Sequence, residues 1–186
     1  MRTHFVSAVC VAAFLLCANQ AAAQGVDLSA ARTSLAGNWT GQLEYLDYMA
    51  NKWFGIPVTT SIENQIDGVT TLRRSDFDDG PKVGMVRITT VELLDPKAGT
   101  VTAGTFRRGR AAELTIYNVR IVSTKDATHW TMVEETKAQD NNRPAMLRLT
   151  TVREGDAVDT LKEVDFLDDT KTEWLKRNRT RLMRAK

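Results

Sequence analysis

The sequence predicts an all-β protein, an antiparallel up-and-down barrel of about 9–10 strands preceded by a short N-terminal helical turn. Three observations carry this reading. Apolar and polar residues alternate with a period of two along most of the chain. Clusters of turn-forming residues interrupt the alternation at regular intervals. Several of the alternating runs are longer than the usual strand of about 5–6 residues. Long strands joined by tight turns favour a closed barrel, because closure removes the unpaired edges along which sheets aggregate.

The elements follow in order. In the segment from Asp27 to Leu35, Asp27 is placed to cap a single helical turn that Gly37 then breaks. From Trp39 the residues Trp39, Gly41, Leu43 and Tyr45 alternate with Thr40, Gln42 and Glu44, so the first set faces the core. Further candidate strands occupy 56–66, 69–77, 83–94, 100–106, 114–123, 128–136, 145–152, 158–167 and 179–184. Between them lie Asp67-Gly68, Asp78-Asp79-Gly80-Pro81, Asp95-Pro96-Lys97-Ala98-Gly99 and Glu154-Gly155-Asp156. All are turn formers, because Asp bonds its own backbone and Gly tolerates a positive φ. The stretch 137–143, with Ala138-Gln139-Asp140-Asn141-Asn142, reads as a mobile hairpin loop.

The N-terminus predicts export. A basic start (Met1, Arg2, His4) leads into an apolar run from Phe5 to Cys17 and then into Ala21-Ala22-Ala23. This is the pattern of a secretory signal peptide over 1–23, cleaved after Ala23, with one barrel domain over 24–186. The apolar run is too short for a membrane helix, which needs about 20 residues, and no later segment is apolar enough to span. Acylation of Cys17 is the rival reading, and Leu16 stands where such sites want a small residue. Both cysteines, Cys10 and Cys17, fall within the signal, so the exported chain has no thiol and no disulfide. Without Arg2 it carries 24 basic against 23 acidic residues, a balance with no global pull toward nucleic acid or membrane. The expected location is the periplasm or the exterior.

The segment Leu35-Ala36-Gly37-Asn38-Trp39-Thr40-Gly41 resembles the G-x-W opening of lipocalins, fatty-acid-binding proteins and avidins, together the calycins. That resemblance implies a barrel closed at one end by the tryptophan, packed under an arginine of the last strand. Arg177, Arg179, Arg181 and Arg184 are the candidates, and Arg179 and Arg181 share one face of an extended segment. Gly37, Trp39, Arg179 and Arg181 are therefore the expected closing set. More narrowly, Leu43-Glu44-Tyr45-Leu46-Asp47-Tyr48 and Trp174-Leu175-Lys176-Arg177-Asn178-Arg179 resemble a group of small exported bacterial calycin-like proteins of unassigned function. The second lipocalin motif, T-D-x-x-Y, is absent.

Catalytic chemistry has little to rest on. His129 is the only histidine after processing, and there is no G-x-S-x-G elbow and no Gly-rich phosphate loop. No cofactor, metal site or enzymatic activity is expected. The carboxylates Asp76-Asp78-Asp79, Glu134-Glu135 and Asp165-Asp168-Asp169 lack EF-hand spacing and read as solvated strand ends. Two features remain. Arg87 is in register with Val83, Met85 and Val91, and Arg148 with Met146 and Val152. An inward arginine would anchor a ligand carboxylate or phosphate; in the alternative phase Val86, Ile88 and Leu94, or Leu147 and Leu149, face inward instead. The segment 171–186 holds seven Lys or Arg against one Glu, but lacks the interleaved aromatics of a nucleic-acid surface.

The leading expectation is a binding protein holding a small apolar or amphipathic ligand, a lipophilic molecule, in the barrel. Trp39, Leu43, Tyr45, Arg87 and Arg148 are its candidate ligand-binding residues. The alternative is a structural or protein-interaction barrel of the cell envelope with a filled interior. No nucleic-acid partner and no membrane span are expected, and the sequence names no protein partner.

Overall fold

The computed structural model describes residues 26–186. The predicted signal lies outside the described residues. One helix, α1 (Leu28–Thr33), is followed by ten strands: β1 (Gly37–Asp47), β2 (Lys52–Asn64), β3 (Thr70–Asp78), β4 (Met85–Asp95), β5 (Thr100–Arg107), β6 (Glu113–Asp126), β7 (His129–Asp140), β8 (Arg143–Glu154), β9 (Ala157–Phe166) and β10 (Leu175–Arg184). Each strand pairs antiparallel with its chain neighbours, and β10 returns to pair with β1, closing the barrel. Every predicted strand is present. Among the described residues no helix is long and apolar enough to cross a membrane.

The turns follow side-chain chemistry. The carboxylates of Asp47, Asp67, Asp95 and Asp126 each accept a backbone N–H two residues on, at 2.7–3.0 Å. The expected loop at 137–143 is much tighter: β7 runs to Asp140 and β8 starts at Arg143. Asn141 and Asn142 turn the chain alone, both at positive φ (51° and 59°), which asparagine tolerates and a two-residue hairpin requires.

One end of the barrel is plugged. Asp27 caps α1 by accepting the Ala30 N–H at 2.7 Å, and the helix buries Ala31 and Arg32 against the barrel. Trp39 is fully buried there and donates its indole N–H to the Leu35 carbonyl at 2.8 Å. Around it the core collects Leu35, Ile62, Trp130, Met132, Val158 and Leu182.

The arginine over Trp39 is Arg184, its guanidinium carbon 4.4 Å from the ring centre, with Arg153 from β8 at 5.7 Å. Arg179 and Arg181 do not take this role. In β10 the inward residues are Leu182 and Thr180, so Arg184 shares their side while Arg179 and Arg181 point out. Arg179 pairs with Glu44 and lies over Trp53, and Arg181 reaches Asp159 at 3.5 Å. Gly37 is required in this assembly. Its φ is +126°, and a side chain there would collide with the Arg184 guanidinium, which donates to the Ala36 carbonyl at 2.9 Å.

The closure can be tested by urea denaturation. Trp39→Ala is expected to cost about 3–5 kcal/mol and Arg184→Ala about 2 kcal/mol, from the stacking and the lost carbonyl contacts. Arg181→Ala should stay within about 0.5 kcal/mol; equal losses at Arg181 and Arg184 would contradict the assignment.

Candidate functional site

Period-two alternation sends one face of each strand into the barrel, and the centre of that interior is not filled. A cavity of about 220 Å³ lies above Trp39. Its lining mixes the apolar side chains of Val58, Phe77, Ile88, Met132 and Val158 with the hydroxyls of Thr60, Ser75, Thr90, Thr151, Thr160 and Thr180. Threonine suits this position because its β-branch fits the pleat while its hydroxyl stays free to bond. Two hydroxyl pairs hold one another across neighbouring strands, Thr60 with Ser75 at 2.9 Å and Thr151 with Thr160 at 3.0 Å. The size is below the roughly 300–1,000 Å³ of drug-sized pockets, and equals about seven waters at about 30 Å³ each.

Four charged side chains meet inside the barrel. Arg32 of α1 is buried and donates to Glu134 of β7 at 2.8 Å and to Glu92 of β4. Arg73 of β3 brings its Nε to 3.7 Å from Glu92. Burial alone would depress the Arg32 pKa, but Glu92 and Glu134 outweigh it and leave the value raised. Burial pushes Glu134 above the usual carboxylate range and Glu92 adds to this, while Arg32 opposes it. The Tyr117 hydroxyl is raised by burial and then by the same two carboxylates. Arg32 has two acceptors, whereas the buried Nε of Arg73 has no hydrogen-bond partner. Arg73 and Glu134 both line the cavity.

None of Arg32, Arg73, Glu92 or Glu134 stands out in the sequence as a site residue, and Glu134 is the opposite of the solvated acid expected there. The signal is parity. Glu134 alternates in phase with Trp130, Met132 and Thr136, and Glu92 with Ile88, Thr90 and Leu94.

Among the predicted residues, only Trp39 lines the cavity. Leu43 is half-buried on the same strand, and Tyr45 stacks on Phe54 with ring centres 5.6 Å apart. The inward face of β4 is that of Ile88 and Leu94, so Arg87 points out and binds Asp76 through two hydrogen bonds of 2.7 Å. Arg148 also points out, paired with Glu163 and stacked on Trp174. His129 pairs with Asp126 at the β6–β7 turn, and that hydrogen bond, with others from Thr128, holds the Asp126 carboxyl well below its usual range. The arginines of the basic end are each paired: Arg179 with Glu44 and Arg181 with Asp159 on the neighbouring strands, Arg177 with Asp140 at the end of β7, and Arg184 with Asp156 in the β8–β9 turn.

The chain matches no protein-family model and no curated protein. Its fold does have a solved counterpart. It is similar to the crystal structure of Rv2717c from M. tuberculosis, with a TM-score of 0.56 at 12% identity, covering 84% of this chain and 96% of that one. At that identity the likeness is one of fold, a ten-stranded antiparallel barrel.

The interior charges predict a pH-dependent defect. Arg32→Met leaves Glu92 and Glu134 without their shared cation and should lower the unfolding free energy by about 3–5 kcal/mol at neutral pH. Because the folded state holds the Glu134 proton more tightly than the unfolded chain does, its contribution is greatest below the ordinary carboxyl pKa of about 4.3 and is lost as pH rises through the elevated value. The defect should therefore shrink as pH falls through that elevated value. A defect unchanged from neutral pH down to the ordinary carboxyl range would contradict the arrangement.

Proposed function

We propose that this chain is an exported binding protein, a calycin-like barrel that holds one small amphipathic molecule in its interior, and that it acts without catalysing a reaction. The observation that carries the reading is the mixed lining of the central cavity around an arginine whose Nε lacks a partner. A buried donor without an acceptor costs about 1–3 kcal/mol, and a ligand carboxylate or other acceptor would recover it. The ring of Trp39 and the side chains of Phe77 and Met132 would meet the apolar part, with hydroxyls of Thr60, Thr90 and Thr151 beside the headgroup. The cavity volume favours a short chain or single ring. An interior with this space supports ligand binding over a barrel filled by its own side chains.

The test is a panel of short- and medium-chain fatty acids, their alcohols, retinoids and haem, read by thermal shift and by tryptophan quenching through Trp39. A short or medium carboxylate is expected to bind best, with its alcohol weaker. Arg73→Leu should reduce carboxylate affinity by tenfold or more, about 1.5–3 kcal/mol for a charged hydrogen bond, while the melting temperature is retained. No response to any member, or equal binding of acid and alcohol with Arg73→Leu silent, would overturn the reading.

A further inference from the structure

The outer surface of the barrel is not uniform. On β4, β5 and β6 the outward parity carries Val91, Leu93, Phe106, Leu114 and Ile116, with Phe106 50%, Ile116 59% and Leu114 76% exposed. Strand register makes these residues one patch. Val91 lies opposite Gly104 and Gly104 opposite Leu114, while Leu93 lies opposite Thr102 and Thr102 opposite Ile116. Gly104 leaves the centre flat, and the Phe106 ring lies 3.5 Å from where a Cβ on Gly104 would stand. Single exposed apolar residues are ordinary, but a contiguous group marks a contact surface.

The loop that joins β5 to β6 adds charge to the same edge. The segment 106–114 holds three arginines against one acid, Glu113. Arg107, Arg108 and Arg110 are exposed and make no ion pair among the described residues, while Arg74, Arg87, Arg120, Arg143 and Arg148 elsewhere on the surface are all paired. With Arg87 and Phe106 these three line a shallow depression at the top of the patch. The β3–β4 turn exposes Lys82, Val83 and Met85 and also carries the acids Asp78 and Asp79, so the excess of positive charge lies on the β5–β6 loop.

We infer that the outer face of β4–β6, together with the β5–β6 loop, docks onto an anionic lipid bilayer. Unneutralised cations beside exposed apolar side chains are the combination that binds such a surface, the arginines meeting headgroup phosphates while Phe106 and Leu114 enter the interface. The shape points the same way. The patch and the unpaired arginines lie side by side, so one flat membrane surface meets both at once. The inference does not rest on the cavity: it concerns the opposite face of the sheet and needs no bound small molecule.

Co-sedimentation of the mature chain, with no small molecule added, tests it. Vesicles of phosphatidylglycerol and phosphatidylcholine in equal parts should retain the protein, and vesicles of phosphatidylcholine alone should retain far less. Raising salt should weaken the binding. The triple variant R107Q/R108Q/R110Q should lower the partition coefficient by about a hundredfold, roughly fivefold for each charge. Phe106→Ser with Leu114→Ser should lower it at high salt as well as low. These positions are exposed, and an unchanged circular dichroism spectrum and melting temperature will verify folding of each variant. Absence of binding to the anionic vesicles, or binding unchanged by the triple variant, overturns the inference. So does a concentration-dependent dimer in light scattering that Leu114→Ser abolishes in protein that ignores vesicles, which would assign the face to a protein contact.

Discussion

The interior of this barrel is organised around a cation delivered from outside the sheet. Arg32 sits on a helix of six residues, too short to be stable alone, and its guanidinium joins acids from two strands that are not neighbours, β4 and β7. Removing such a charge from water costs several kcal/mol unless the geometry returns it, so the helix can dock only where both carboxylates already converge. The constraint also runs the other way. A one-residue slip of β4 or β7 would turn Glu92 or Glu134 to solvent and strand Arg32 in the core. The ion pairs therefore tie helix position, strand phase and closure into one condition.

That condition also sets which charges face the cavity. Glu92 and Glu134 both hydrogen-bond Arg32, and Arg73, 3.7 Å from Glu92, is the cation of the group whose Nε has no hydrogen-bond acceptor. Hydroxyls that pair with one another, Thr60 with Ser75 and Thr151 with Thr160, are satisfied without a ligand yet retain acceptor lone pairs. These hydroxyls thus keep acceptor capacity toward the cavity while bonded to one another. Below it, Trp39 under Arg184 and Arg153 seals the floor, so the plug and the pocket share one indole ring.

The strands were legible because alternation and Asp- or Asn-based turns are local signals, and all ten appear within a few residues of their expected bounds. The phase of β4 was not, because both of its faces are apolar: Ile88 and Leu94 inside, Val91 and Leu93 outside. An inward Arg87 would require Met85 and Val91 to be core; the strand adopts the alternative phase, with Ile88 and Leu94 inward and the arginine in water. The interior charges were missed for a different reason. An inward Glu134 is tolerable only with Arg32 beside it, and a partner 102 residues away leaves no local trace. In-phase neighbours were the usable signal, since Trp130 and Met132 fix the inward parity of β7 as Leu182 fixes that of β10 and so selects Arg184 over Arg181.

The two surfaces of the sheet meet at one rim. In an up-and-down barrel whose helix plugs the end where β1 begins, the β1–β2, β3–β4 and β5–β6 connections all lie at the opposite end. Toward that end Tyr45 of β1 has its hydroxyl pKa raised first by burial and then by Asp79, with Arg107 opposing. Arg107, at the end of β5, belongs to the basic loop beside the outer apolar patch. The basic loop and the outer apolar patch therefore sit toward the unplugged end, whereas Arg73, in register with the start of β1 through Ile62, sits with Arg32, Glu92 and Glu134 toward the plugged one.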